Sequence, residues 1–144
     1  MIFDQKEYNN KAWELLKKYA EAKRSGFLIE ALVLLNYILR NNLLLIINNK
    51  LNQNKQTFKD SYLKQETNVL ASTAKNIDAI DEDLRKDIDK YFNEFRSSVV
   101  HGMLNGEINY DEIVSRIDDP LNLLKRIQEK LIGKLKISSV NESK

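Results

Sequence analysis

The chain has 144 residues, of which 42% are hydrophobic and 31% charged, and this composition indicates one folded domain rather than a disordered segment. The absence of cysteine excludes disulfides, thiolate metal sites and cysteine nucleophiles, and it favours an intracellular protein. The net charge of only +2 excludes a globally basic nucleic-acid-binding protein but leaves room for a local basic groove.

Residues that interrupt helices are scarce, because the chain has only four glycines and one proline. This scarcity predicts long helices, and few segments show the strict alternation of a β-strand. We therefore predict an all-α fold. The N-terminal stretch MIFDQKEYNN lacks the basic-then-apolar order of a secretory signal, so we expect a cytoplasmic protein.

The first helix is predicted to begin after Asp4, because Asp4 and Glu7 have the spacing of a capping box. It is predicted to end at Ser25-Gly26. Apolar residues at helical spacing form its predicted inner face, which consists of Ala12, Leu15, Tyr19 and Ala22, with Trp13, Leu16 and Ala20 beside them.

The second helix is predicted to run from about Phe27 to Asn49 and contains FLIEALVLLNYILRNNLLLII. It is apolar around most of its circumference, which is typical of the central helix of a bundle. Glu30, Arg40 and three asparagines interrupt it, so we interpret it as a buried core helix rather than a membrane span. The polar stretch 49–61 that follows is predicted to be a mobile loop.

The rest of the chain is predicted to complete the bundle with further helices. One spans about 62–77, and the next is capped by Asp78 or Asp81 and stops near Gly102, before an Asn-Gly turn. After a short helix, the last one starts at Asp119-Pro120. The predicted architecture is an antiparallel bundle of four long helices plus a short one, with a single domain at 1–137 and a flexible tail at 138–144.

The stretch EFRSSVVHGM, residues 94–103, holds the only histidine of the chain, His101, five positions after Arg96. Histidine can transfer protons near neutral pH, and arginine can hold a phosphate through two hydrogen bonds. Together they suit RNA cleavage without a metal. The sequence has no Gly-rich phosphate loop and no zinc-ligand set, so we predict no metal and no cofactor.

Helix geometry limits how these two residues can cooperate. Residues five apart on a continuous α-helix point about 140° away from each other. Either a distortion near Gly102 or a two-fold dimer packed along this helix would be needed to bring them to one cleft. The alternative is an exposed Arg96 and a His101 that interacts with the C-terminal end of its helix.

NEFRSSVVHGML resembles the R-x4-H motif of the HEPN (higher eukaryotes and prokaryotes nucleotide-binding) superfamily, and the apolar second helix resembles the "EA" helix of that family. The resemblance implies a HEPN-like bundle in which Arg96 and His101 are the catalytic pair of a metal-independent endoribonuclease. It further implies a homodimer with a shared site and RNA products ending in 2′,3′-cyclic phosphates. A toxin or phage-defence role is implied as well, with an antitoxin partner such as a minimal nucleotidyltransferase.

Two positions depart from the family pattern. Ser97 stands where active members often have Asn, Asp or His, and Met103 stands where some members have a tyrosine that accepts AMP. Ser97, Glu30 and Arg40 are candidate supporting residues, with Asn36 one turn from Arg40. The alternatives to a ribonuclease are a non-catalytic helical module that binds a partner protein or nucleotide, and a purely structural bundle.

Overall fold

The computed structural model describes residues 3–95, 102–106, 111 and 121–130. The helices are α1 (Gln5–Arg24), α2 (Leu28–Gln53), the 3-10 helix η1 (Asp60–Lys64), α3 (Thr67–Asn76), α4 (Glu82–Phe95) and α5 (Gly102–Asn105). Residues 121–130 are also helical, and the part of the chain described contains no strand. The all-α prediction is confirmed. The inward residues of the predicted short helix, Ile113, Val114 and Ile117, and the predicted tail at 138–144 lie outside the described residues.

Both ends of α1 agree with the prediction. Asp4 is the N-cap, and its carboxylate accepts a hydrogen bond from the backbone N–H of Glu7 at 3.0 Å. Gly26 adopts a φ of +78°, and the N–H of Phe27 donates to the carbonyl of Ala22 at 2.9 Å. This is the Schellman ending that glycine favours after a helix.

The inner face of α1 is narrower than predicted. Tyr19 and Ala22 are buried, whereas Trp13 is 71% exposed and Ala20 is also exposed. At about 100° per residue, Trp13 and Ala20 lie more than a quarter-turn from the line of buried side chains. Their assignment to the edge of the apolar face was therefore wrong.

Helix α2 is the centre of the bundle. All residues from Asn41 to Asn48 are buried, so this half of the helix contacts neighbours on every side. Asn41 donates through Nδ2 to the carbonyl of Tyr8, and Asn48 donates through Nδ2 to Oε1 of Gln5, both at 2.9 Å. These bonds set α1 antiparallel to α2. Among the described residues, α2 alone is long and apolar enough to cross a membrane, and 61% of its apolar window is buried within the fold.

The segment after α2 differs from the prediction. Helix α2 continues to Gln53 rather than ending at Asn49, because Leu51 is buried at 3% exposure and extends the apolar face. The predicted mobile loop is therefore shorter. It is also anchored, since the buried ring of Phe58 packs on Phe3 with ring centroids 4.5 Å apart.

The predicted third helix is in fact two elements, η1 and α3. The chain is extended at Gln65 and Glu66, with ψ of 144° and 165°, and this separates the two helices. The next cap is Asp81, whose carboxylate accepts from the N–H of Leu84 at 2.8 Å. Asp78, the other candidate cap, instead occupies the turn with a φ of +62°.

Helix α3 packs against α2 and α4, and residues 121–130 pack along α4. Lys130 forms an ion pair with Asp81 at 3.6 Å, and Arg126 forms one with Asp87 at 2.6 Å. Because the later partner pairs with the earlier residue, these helical segments run antiparallel. The fully buried Ile88 and Ile127 belong to the same core cluster.

Candidate functional site

The motif occupies the chain between two described helices. Arg96 directly follows Phe95, the last residue of α4, and His101 directly precedes Gly102, the first residue of α5. Arg96, Ser97 and His101 lie outside the described residues. Their mutual geometry is therefore a prediction from the sequence, and the surrounding elements define what supports them.

Helix α4, which directly precedes the motif, is held in the fold by buried side chains and by its N-cap. Leu84, Ile88 and Phe92 recur every fourth residue and are buried at 1%, 0% and 6% exposure. At the N-terminal end, the hydrogen bond from the backbone N–H of Leu84 lowers the pKa of Asp81. Partial desolvation opposes this shift, and the nearby charge of Lys130 adds to it. The ionised cap and the buried stripe fix α4 on its neighbours.

Tyr91 lies on α4 one turn and a half before the motif. Burial raises the pKa of its phenol well above the ordinary value, because a phenolate is poorly solvated inside the protein. A tyrosine of ordinary pKa, about 10, is already protonated near neutral pH, and this shift makes its ionisation harder still. Tyr91 is unsuited to act as a general base in any chemistry at this end of α4.

The turn that follows the motif was predicted correctly. Helix α5 ends at Asn105, and Gly106 has a φ of +70° in a turn. This left-handed conformation is the one that glycine adopts without strain. Gly102, near which the fourth helix was predicted to stop, is itself helical, and residues 96–101 before it lie outside the described part of the chain.

Glu30 is exposed in the first turn of α2. Because it is exposed, its charge needs no buried partner, and the cost of burial that made it a candidate does not arise. A carboxylate at this position interacts favourably with the N-terminal end of its own helix. About 15 Å of helix axis separate it from Arg40, at 1.5 Å per residue, so the two candidates do not meet.

Arg40 is half-buried and bonded to the backbone of the segment that leads into α3. Its Nε donates to the carbonyl of Gln65 at 2.9 Å, and its Nη2 donates to the carbonyl of Leu63. One turn earlier, Asn36 accepts a hydrogen bond from the hydroxyl of the buried Thr67 at 3.0 Å. Arg40 and Asn36 thus attach the junction between η1 and α3 to the central helix.

A small cavity of about 220 Å³ lies at the opposite end of α4 from the motif. Its lining residues come from α2, the turn before α4 and the end of the described chain, namely Ile46, Asn49, Lys50, Asp78, Ala79 and Lys130. At 1.5 Å per residue, about 21 Å of helix axis separate Asp81 from Phe95. The cavity therefore lies about the length of α4 away from Phe95, the last described residue before the motif.

No three His, Asp or Glu side chains in the described ranges gather into a cluster that could hold a metal ion. Comparison with protein-family models, curated proteins and solved structures finds no match to this chain. The functional assignment therefore rests on the motif and on the chemistry of its residues.

Proposed function

We propose that this protein is a HEPN-like, metal-independent endoribonuclease of the cytoplasm that acts as a toxin or phage-defence effector. The observation that carries the proposal is the sequence of residues 96–102, R-S-S-V-V-H-G, directly after α4 in a chain whose described secondary structure is entirely helical. An antitoxin partner, such as a minimal nucleotidyltransferase, belongs to the same proposal.

The proposed reaction uses the 2′-hydroxyl of the RNA as its nucleophile. His101 removes the proton from this hydroxyl, and the 2′-oxygen attacks the adjacent phosphorus. Arg96 stabilises the negative charge of the pentacovalent phosphorane. The bond from phosphorus to the 5′-oxygen then breaks, and that oxygen takes up a proton, either from water or from the histidinium of a second copy. The products are a 2′,3′-cyclic phosphate and a 5′-hydroxyl.

Two copies of the chain supply the proposed cleft. Arg96 and His101 would point about 140° apart on one continuous helix, whereas a two-fold axis along that helix brings the motifs of both copies together. Ser97 adds a hydroxyl that can donate to a phosphate oxygen. Glu30 and Arg40 have lower weight, because Arg40 has structural partners and Glu30 is exposed.

The test is cleavage of a single-stranded RNA by purified protein in excess EDTA, followed by mass analysis of the product ends. We expect products with cyclic phosphate ends, one water lighter than linear phosphates. His101→Ala and Arg96→Ala should each lower the rate by at least about 100-fold, the usual scale of lost proton transfer or oxyanion stabilisation. Arg85→Ala is the matched control, because Arg85 lies on α4 but pairs with Glu82 at 2.6 Å.

The same cleavage assay also tests whether the site is shared between two copies of the chain. Arg96→Ala and His101→Ala should each be nearly inactive when assayed separately, but a mixture of the two should regain activity if one site combines residues of both copies. No cleavage by the unsubstituted chain, or equal cleavage by His101→Ala, would contradict the proposal. Such a result would favour the alternative, a non-catalytic module that binds a partner protein or nucleotide. The presence of Ser97 at a position where active members often have Asn, Asp or His supports this alternative.

A further inference from the structure

One face of α1 carries cations and an aromatic ring but no acid. Positions spaced by three or four residues lie on one line along a helix, and all residues on this line are exposed. We call it the cationic stripe, and it consists of Lys6, Asn10, Trp13, Lys17, Ala20 and Arg24.

The acids of α1 follow a separate line. Glu7, Glu14 and Glu21 recur every seventh residue, and at about 100° per residue they lie about 80 to 120° around the helix from Trp13. Glu7 pairs with Lys11 at 3.4 Å, and Lys11 lies on the side of the helix away from Trp13. Glu14 and Glu21 stand three or four residues from Lys17 and Arg24, so the acids border the stripe, but none of them stands on it.

The cations of the stripe are not used within the fold. Among the residues that the structure describes, no carboxylate forms an ion pair with Lys6, Lys17 or Arg24. Trp13 is 71% exposed, so its indole contributes little to the stability of the core. The α1 helix is instead held by the opposite face, through Tyr19 and Ala22.

We infer that the cationic stripe binds single-stranded RNA, with a base stacked on Trp13 and the flanking phosphates on Lys17, Arg24 and Lys6. A positively charged track with an interleaved aromatic ring is the arrangement that single-strand-binding surfaces use. From Lys6 to Arg24 the stripe is about 27 Å long at 1.5 Å per residue, which accommodates several nucleotides. The choice of RNA over DNA rests on the proposed function.

Other occupants fit the stripe less well. A second copy bound through a two-fold axis would place lysine against lysine, because such an interface is self-complementary. The buried centre of a protein interface is depleted of lysine. An interfacial membrane helix needs a broad apolar face, and the apolar face of α1 is buried in the protein while Trp13 is the single large apolar residue of the stripe.

The tryptophan itself reports the contact, because Trp13 is the only tryptophan in the chain. The full chain carrying His101→Ala is titrated in EDTA with an oligouridine of about 10 nucleotides, within the range of single-strand site sizes. We expect the indole fluorescence to be quenched. Three phosphate contacts predict that affinity falls about 15- to 20-fold between about 50 and 200 mM salt.

Two charge-reversed variants separate the stripe from the overall charge. Lys17→Glu with Arg24→Glu should weaken quenching at least about tenfold, because two phosphate contacts are replaced by repulsion. Lys11→Glu with Lys18→Glu changes the net charge equally on the far side of the same helix, and it should change affinity less than about threefold. Circular dichroism checks that both variants fold.

Several results would overturn the inference. The first two are an absence of fluorescence quenching by RNA and an equal loss of RNA affinity in both double variants. A blue shift of the tryptophan emission on anionic vesicles, without a response to RNA, would indicate a membrane surface instead. A blue shift that grows with protein concentration and prevents RNA binding would indicate a second copy of the chain. Cleavage by the unsubstituted chain is measured separately. Stripe-dependent quenching without cleavage would contradict only the nuclease proposal, and cleavage without quenching would contradict only the stripe.

Discussion

Arg40 donates through Nε to the carbonyl oxygen of Gln65 at 2.9 Å, and so joins the central helix to the point where the chain turns into α3. The same guanidinium reaches the carbonyl of Leu63 through Nη2. One half-buried arginine side chain thus donates hydrogen bonds to two backbone carbonyl oxygens at the junction between η1 and α3.

Arg40→Met should lower the free energy of unfolding by about 2 to 4 kcal/mol, because two hydrogen bonds from a charged donor are lost. Urea unfolding monitored by circular dichroism measures the change. Arg24→Met is the matched control on an exposed helix end, and it should cost less than about 0.5 kcal/mol. A loss below about 1 kcal/mol for Arg40→Met would show that the junction is held by other contacts, such as the Thr67–Asn36 bond.

Asp81 makes the stability of α4 depend on pH. Its pKa in the folded protein is lowered, chiefly by the N–H of Leu84, so its contribution is present above its unfolded pKa of about 4 and is lost as the pH falls through the folded value. Asp81→Asn keeps a cap acceptor and should flatten the pH dependence below about pH 4.

Asp81→Ala should instead cost about 1 kcal/mol at neutral pH, through the loss of the cap. Unfolding curves at several pH values distinguish the two variants. A pH dependence unchanged in Asp81→Asn would mean that other carboxylates account for the acid sensitivity of the protein.

Asn41 and Asn42 are adjacent and buried, but their hydrogen bonds differ. Asn41 donates to the carbonyl of Tyr8 on α1, whereas Asn42 donates to the carbonyl of Ile38 within its own helix. Asn41→Ala should therefore be about 1 kcal/mol more destabilising than Asn42→Ala, the usual net value of one hydrogen bond. The two variants remove the same atoms and control for each other in urea unfolding. Equal losses would show that the α1–α2 bond contributes nothing.

Substitution of Glu30 tests whether this residue, in the first turn of α2, supports the proposed site. Glu30→Gln should lower stability by about 0.3 to 1 kcal/mol, because the charge interacts with the N-terminal end of the helix. RNA cleavage should be unchanged, since Glu30 is exposed and has no ion pair among the described residues. A tenfold fall in rate at unchanged stability would instead place Glu30 against Arg96.

The ends of helices were predictable where a local signal marks them. Asp4, Ser25-Gly26 and Asp81 act through residues within one turn, and the turn at Gly106 needs only the glycine itself. The end of α2 was not predictable in this way. Leu51 and Phe58 stand in a polar stretch, and what buries them comes from distant parts of the chain, among them Phe3.

The candidate supporting residues show the same difference between local signals, which the sequence reveals, and contacts with distant parts of the chain, which it does not. Arg40 stood out as polar on an apolar helix, but its acceptors are backbone carbonyls, which carry no side-chain signature in the sequence. The cationic stripe did have a signal, the spacing of Lys6, Lys17 and Arg24 around Trp13. The large apolar ring of Trp13 hides this signal, because a tryptophan on an amphipathic helix is usually expected on the buried face.

Phe3 has a consequence for how the fold opens. Its buried ring stacks on Tyr8 with centroids 4.4 Å apart and also packs on Phe58, beyond the end of α2. Displacing the first residues of the chain uncovers Phe58, and displacing the later segment uncovers Phe3. Amide hydrogens at the start of α1 and around η1 should therefore exchange with solvent in a single cooperative event, although these segments lie far apart in the chain.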